Sequence, residues 1–190
     1  GGLASARGVG HERTVVFGKR GYWLIVDRIV GEGRHEIRSA LQLAPGLERE
    51  EGGGMVFTTG RAGGVEIWSW PPKGFGSEVL RGSMEHRAGW VSQGFGHRTA
   101  ASAVMTSGRA DLPVSLVTAI APFTSRREIS LNCSDRGHGA GVEFIASFSG
   151  GQDSLALGTG VTTHDGTVFS GALGFTARRG ERIDRWGVDV

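Results

Sequence analysis

The sequence predicts an all-β protein, an antiparallel two-sheet β-sandwich with almost no helix. No window places apolar residues at the i, i+3, i+4 and i+7 positions of a helix face. Short apolar runs instead alternate with turn residues at intervals of about 8–12 residues, which is typical of sandwiches. Glycine makes up 34 of the 190 residues, which suits the many turns and bulges that such a fold needs.

Residues 11–46 are predicted to form a three-stranded antiparallel meander. Its turns lie at Arg20-Gly21 and at Gly31-Glu32-Gly33, where glycine can take a positive φ without steric cost. If the first hairpin turns at Arg20-Gly21, residues near 13 and 14 lie opposite residues near 27 and 28. This register would bring His11 and Asp27 to the same end of the hairpin.

The rest of the chain is predicted to contain nine further strands. They cover residues 55–59, 65–70, 103–106, 114–121, 128–133, 142–149, 154–157, 167–177 and 183–188. The nearly continuous apolar run at 114–121 predicts a strand that is buried on both faces. Residues 73–100 form the least regular part. Because there is no internal repeat and no clear linker, residues 1–190 are predicted to be a single domain.

The charges narrow the range of partners. The net charge is +2, and 19 of the 21 basic residues are arginine. Arginine suits carboxylate, sulfate and phosphate groups, so the excess fits an anionic polymer, although a GC-rich genome would explain it as well. Because charges of both signs are interspersed, nucleic-acid binding is not predicted. No run of 18 apolar residues predicts a membrane segment, and a single cysteine, Cys133, excludes an internal disulfide framework.

Asp27 is the residue that fits a purely structural strand least well. It shares a strand face with Trp23, Ile25 and Ile29, and a carboxylate among apolar neighbours must be paired, hydrogen-bonded or bound to a metal. One interpretation is an ion pair with an arginine on a neighbouring strand. The other is a metal site, since His11 and Asp27 are ligands that suit zinc. A plain His–Asp hydrogen bond explains the pair equally well.

Trp68 and Trp70 are the candidate substrate-binding residues. They share one face of a strand just before Pro71-Pro72, and a flat aromatic pair near a sheet edge can stack against sugar rings. Packing in the core is the alternative. Tyr22, the only tyrosine, is expected at the rim because it follows a turn. No G-x-S-x-G, P-loop or G-x-G-x-x-G sequence is present, so no catalytic residue is assigned.

Several segments resemble the C-terminal β-sheet domain of heparinase II/III-like polysaccharide lyases. They are His11-Glu12-Arg13-Thr14-Val15-Val16-Phe17, Tyr22-Trp23-Leu24-Ile25-Val26-Asp27-Arg28, Gly31-Glu32-Gly33-Arg34-His35 and Leu43-Ala44-Pro45-Gly46. The segments Gly89-Trp90-Val91-Ser92, Gly94-Phe95-Gly96 and Leu112-Pro113 are similar to the family as well. The resemblance is specific over residues 11–46 and looser up to about residue 123.

The resemblance implies a bacterial parent enzyme with an N-terminal α/α toroid and a C-terminal antiparallel β-sandwich. Such enzymes cleave acidic, uronate-containing polysaccharides, among them glycosaminoglycans, by β-elimination in the periplasm or outside the cell. The catalytic tyrosine and most of its partners come from the toroid, so this chain alone is expected to be inactive. A non-catalytic carbohydrate-binding or structural sandwich is the alternative.

The resemblance also implies a zinc ion in the sandwich, held between His and Asp side chains. Asp27 is the match to the metal-binding Asp and His11 the match to a metal-binding His, while no residue matches a third ligand. The chain opens without an initiator Met, which predicts that it is part of a longer protein.

Overall fold

A computed structural model of the chain describes residues 2–4, 8–50, 55–59, 63–124, 129–135, 141–158 and 172–188. These residues form seventeen β-strands and no helix, so the all-β prediction is confirmed. With no helix in the described ranges, none of them contains a helix that is long and apolar enough to cross a membrane.

The strands are numbered in chain order. They are β1 (Gly2–Ala4), β2 (Gly10–Gly18), β3 (Tyr22–Val30), β4 (Arg34–Gln42), β5 (Glu48–Arg49), β6 (Met55–Thr58), β7 (Gly64–Trp70), β8 (Gly76–Arg81), β9 (Trp90–Gly94), β10 (His97–Ala100), β11 (Ser102–Asp111), β12 (Val114–Phe123), β13 (Ile129–Asp135), β14 (Val142–Phe148), β15 (Gly151–Leu157), β16 (Leu173–Arg179) and β17 (Arg182–Val188).

The chain divides into two compact units, residues 1–126 and residues 127–190. The first unit contains a seven-stranded sheet in the order β1-β2-β3-β12-β7-β6-β5, a three-stranded sheet in the order β4-β11-β8, and the separate hairpin β9–β10. The second unit is a five-stranded meander in the order β13-β14-β15-β16-β17. All of these strand pairs are antiparallel, as expected. That both units form one folding domain stays a prediction.

The core of the first unit lies between its two larger sheets. Phe57 and Ile67 of the seven-stranded sheet are buried together with Val104 of the three-stranded sheet, and Val79 of the same small sheet packs against them. Alternate residues of β7 point into this core, which is why Val65 and Ile67 are buried while their neighbours are not. Two antiparallel sheets that share one core form a β-sandwich, and the predicted architecture is thus confirmed.

β12 lies at the centre of the seven-stranded sheet, between β3 and β7. Val114 and Leu116 are buried on one of its faces, and Val117 and Ala119 are buried on the other. A strand with both faces covered needs apolar residues at successive positions, which is the pattern that predicted it.

The predicted three-stranded meander is wrong in its third strand. β2 and β3 pair as expected, but β4 lies in the three-stranded sheet beside β11.

Three further predictions about elements need comment. Residues 73–100 are more regular than expected, because they contain β8, β9 and β10. Tyr22 is not at the rim: only 1% of it is exposed, and its ring lies close to Gly18, which it faces across the β2–β3 hairpin. The strand predicted at 167–177 falls partly outside the described residues, and β16 begins at Leu173.

Candidate functional site

The hairpin formed by β2 and β3 positions the predicted His–Asp pair. Gly21, with a φ of 95°, closes the turn and donates its backbone N–H to the Gly18 carbonyl at 2.8 Å. This turn fixes a register in which Arg13 faces Asp27 directly. His11 lies two residues from Arg13 on the same face of β2, so it also reaches Asp27. The register expected from the sequence is confirmed.

Asp27 is the centre of the cluster, with only 7% of its surface exposed. Arg13 binds it with two donors, from Nε to Oδ1 at 2.6 Å and from Nη2 to Oδ2 at 3.0 Å. His11 Nε2 lies 2.6 Å from the same Oδ1. The convergence of His11 and Asp27 is therefore observed, and so is the ion pair with an arginine on a neighbouring strand.

The Arg13–Asp27 ion pair and His11 lie at the edge of solvent. The side chains of His11 and Arg13 are 44% and 51% exposed, so they cover the carboxylate from the water side. The hydrogen bond to Asp27 raises the pKa of Arg13 above its ordinary value, while partial burial lowers it and the charge of Asp27 raises it. Because an arginine already titrates above pH 12, Arg13 stays cationic wherever the protein is folded.

Among the described residues, this cluster offers a zinc ion two ligands, His11 and Asp27. Zinc sites in proteins use three or four His, Cys, Asp or Glu ligands. Within the described ranges, no group of three such residues could hold a metal ion. A guanidinium also occupies both oxygens of the single carboxylate, and His35 is engaged with the Glu32 carbonyl at 2.9 Å. Zinc at His11 and Asp27 stays a prediction, and the observed contacts favour the ion pair.

Comparison with known proteins identifies the family of the chain. The family model described as "Heparinase II/III-like, C-terminal" matches residues 1–154. The chain belongs to this family. No curated protein matches the chain well enough to count as a relative.

Solved structures share the fold of this family member. The heparinase III gene product BT4657, with methylated lysines, aligns with a TM-score of 0.64 and 19% identity over 83% of this chain. A mutant of the heparan sulfate lyase HepC from Pedobacter heparinus aligns with a TM-score of 0.64 and 14% identity over 82% of this chain. The chain spans only 24% and 25% of the lengths of these two proteins. At such low sequence identities, the structural likeness shows that this chain shares the fold of these proteins and nothing further.

The predicted tryptophan pair lies on the other face of the sheet. Trp68 and Trp70 pair with Ala119 and Val117 of β12, whereas Asp27 pairs with Leu116, the residue just before Val117. Successive residues of a strand point to opposite faces, so the seven-stranded sheet separates the two predicted sites. Both tryptophans are partly buried. Their role in sugar binding stays a prediction.

Two features of the site escaped the sequence analysis. Arg13 was not singled out, although the predicted register alone places it opposite Asp27. The second feature is an exposed apolar surface, here called the shelf, on the face of β2–β3 that carries Asp27. It consists of Val15, Phe17 and Trp23, all about half exposed. The rings of Phe17 and Trp23 are 4.6 Å apart and tilted.

The second unit has a similar ion pair with a structural role. Asp153 is 2% exposed and accepts a hydrogen bond from Arg179 Nη2 at 2.6 Å. Arg179 Nη1 also donates to the carbonyl groups of Gln152 and Arg178. The guanidinium is thus tied to its own sheet, as expected of a group that compensates a buried charge.

Proposed function

We propose that this chain is the C-terminal β-sandwich part of a polysaccharide lyase, which cleaves acidic, uronate-containing polysaccharide by β-elimination. The family match over residues 1–154 carries the proposal. The fold likeness to heparinase III and to a heparan sulfate lyase supports it. We further propose that the parent chain carries an N-terminal α/α toroid and works in the periplasm or outside the cell.

β-Elimination sets the chemical demands on the parent enzyme. A base removes the proton at C5 of the uronate, an acid protonates the departing oxygen, and the substrate carboxylate must be neutralised. The acid–base pair of the candidate site is His11 beside Asp27, and the carboxylate of Asp27 is already paired with Arg13. We therefore propose that the catalytic groups lie mainly in the toroid, and that this chain alone is inactive.

The test compares the parent gene product with this chain on a panel of heparan sulfate, heparin, chondroitin sulfate, hyaluronan and alginate. β-Elimination leaves an unsaturated, ultraviolet-absorbing sugar at each new chain end. We expect the parent protein to release such ends from at least one polymer and this chain to release none. No release by the folded parent protein from any of these polymers would contradict the proposal.

A non-catalytic carbohydrate-binding sandwich is the second candidate. It is favoured by the exposed aromatic side chains of the first unit, since such patches often mark binding surfaces. Under this alternative, an acidic glycan raises the melting temperature of the chain, because a ligand of the native state stabilises it. If Trp68 and Trp70 stack on the sugar, replacing either by alanine removes this shift.

A further inference from the structure

The hairpin formed by β9 and β10 stands apart from the two larger sheets of the first unit. Among the described strands, β9 and β10 pair only with each other. Residues 92–99 are exposed without interruption, so both faces of the hairpin are open to solvent. An isolated two-stranded hairpin is marginally stable in water, which means that specific contacts must hold this one in place.

The base of the hairpin is anchored by Trp90. Its indole Nε1–H donates to the Ser83 carbonyl at 3.2 Å. The Gly89 carbonyl accepts the backbone N–H groups of Gly82 and Ala101, both at 2.9 Å, which joins the two ends of the segment. These hydrogen bonds hold the indole ring and the backbone beside it at the base of the hairpin.

The far end of the hairpin is fixed as well. The Ser92 hydroxyl lies 2.8 Å from the Gly94 carbonyl and 2.9 Å from the His97 carbonyl, so it links the two strands. The strand register shifts between His97 and Thr99, so Ser92 and Gln93 of β9 lie opposite the single residue Arg98 of β10. A bulge of this kind increases the local twist of the strand pair.

Arg98 lies over the Trp90 ring, with its Cζ 4.3 Å from the ring centroid. At this distance the contact is a cation–π interaction, which holds the guanidinium close to the Trp90 ring. The N–H donors of a guanidinium suit the paired oxygens of a carboxylate or sulfate.

Arg98 carries a positive charge in a segment that is rich in basic residues. In the part of the chain that the structure describes, no carboxylate pairs with Arg98, whereas Arg13, Arg28 and Arg179 each contact one. Residues 81–100 contain three arginines and two histidines, and Glu85 is their only acidic residue. Phe95 at the tip of the hairpin is fully exposed.

We propose that the β9–β10 hairpin binds the sulfate or carboxylate groups of an acidic polysaccharide. Arg98 is the ligand of the anionic group, and Phe95 offers an apolar surface to a neighbouring sugar ring. The positive local charge matches such a polymer, and an anion would pair with the Arg98 guanidinium. This inference deepens the proposed function and rests on it.

The test measures the affinity of the chain for heparin oligosaccharides, which carry sulfate and carboxylate, and for alginate oligosaccharides, which carry carboxylate only. Neutral dextran is the negative control, and single-stranded DNA tests for any polyanion. The variants are Arg98→Gln, Arg98→Lys and Phe95→Ala. Arg38→Gln is the matched control, because Arg38 is also exposed on a strand but pairs with Glu36. All side chains replaced are exposed, so the variants are expected to fold.

We expect Arg98→Gln to weaken heparin binding about tenfold, the loss typical of a charged hydrogen bond. Arg98→Lys should bind with intermediate affinity, because it keeps the charge and loses the planar donors. Phe95→Ala should weaken binding severalfold, and Arg38→Gln should change nothing. Binding of alginate with the same Arg98 dependence would identify carboxylate as a sufficient ligand, and its absence would identify sulfate.

Three results would overturn the inference. The first is that neither heparin nor alginate oligosaccharides bind. The second is binding that Arg98→Gln leaves unchanged. The third is that single-stranded DNA binds with the same affinity as the acidic glycans. None of these results contradicts the lyase proposal, since the release of unsaturated ends by the parent protein is measured separately. A failure of that assay alone would leave a carbohydrate-binding hairpin in a protein that is not a lyase.

Discussion

The pairing of Asp27 shows how a single charged residue shapes the first hairpin. A buried carboxylate is costly unless its partners compensate the loss of water, and here Arg13 supplies two donors and His11 a third. Because both partners are about half exposed, the pair is screened by solvent on one side. Its contribution to stability is therefore smaller than that of a fully buried pair.

Replacing Arg13 by glutamine should destabilise the protein by about 1–3 kcal/mol, because it leaves a buried carboxylate short of donors. The denaturant midpoint of unfolding measures the effect. Arg38→Gln is the control, since it breaks an ion pair between exposed side chains and should change the stability by less than about 0.5 kcal/mol. Equal effects of the two substitutions would mean that the Arg13–Asp27 contact does not stabilise the fold.

The zinc prediction is tested by the metal content of the chain purified without chelator. If the ion pair with Arg13 stands in place of a metal, the protein carries no zinc that depends on Asp27, and Asp27→Asn leaves the metal content unchanged. About one zinc per chain that is lost in this variant would show that Arg13 gives way to a metal, with ligands beyond those the structure describes.

At the scale of single elements, the β2–β3 hairpin depends on a close contact between a glycine and an aromatic ring. Gly18 and Tyr22 face each other across the turn, and the ring of Tyr22 takes the space that a side chain at residue 18 would need. The glycine leaves room for the ring beside the turn. The sequence did not reveal this contact, because a close approach between a glycine and a facing ring leaves no periodic pattern.

Gly18→Ala should destabilise the protein by about 1–3 kcal/mol, because the added methyl group overlaps with the Tyr22 ring and forces the strand or the ring to move. Thermal or denaturant unfolding measures the loss. Gly76→Ala is the matched control on β8: no atom lies within 4 Å of an added Cβ there, and it should shift stability by less than about 0.5 kcal/mol. A neutral Gly18→Ala would show that Tyr22 can be displaced without cost.

The strands that the sequence predicted and those it missed differ in one physical respect. β7 and β12 bury apolar residues in a regular pattern, so their periodicity reports their position in the sandwich. β9 and β10 are exposed on both faces and bury no regular set of side chains. A strand without a buried face has no hydrophobic period, so the hairpin that carries Arg98 could not be recognised from the sequence.

At the scale of the whole molecule, the sequence predicted the sandwich and the His11–Asp27 contact, because both follow from strand faces and one hairpin register. It could not show that Trp68 and Trp70 lie on the opposite face of the sheet from Asp27. That relation depends on how β7 pairs with β12 and β12 with β3, and contacts between strands so distant in sequence leave no local pattern. The same holds for the contact between Arg98 and Trp90, which depends on an irregular strand pair.

The shelf leads to a prediction about the isolated chain. Val15, Phe17 and Trp23 form a contiguous exposed apolar surface, and surfaces of this kind promote association when nothing covers them. We expect the chain alone to self-associate as its concentration rises. The double variant Val15→Thr/Phe17→Thr should reduce this, because threonine keeps the strand propensity while lowering the apolar area. Sedimentation over a concentration series measures the effect.

The control for the shelf is Thr14→Ser, which changes an exposed residue of the same strand on the opposite face of the sheet. It should associate like the unmodified chain, because the shelf is untouched. If the double variant and the control associate equally, the association comes from another surface. If only the double variant stays monomeric, the shelf is the contact, and a domain that packs beside this sandwich in a longer chain would find its apolar surface there.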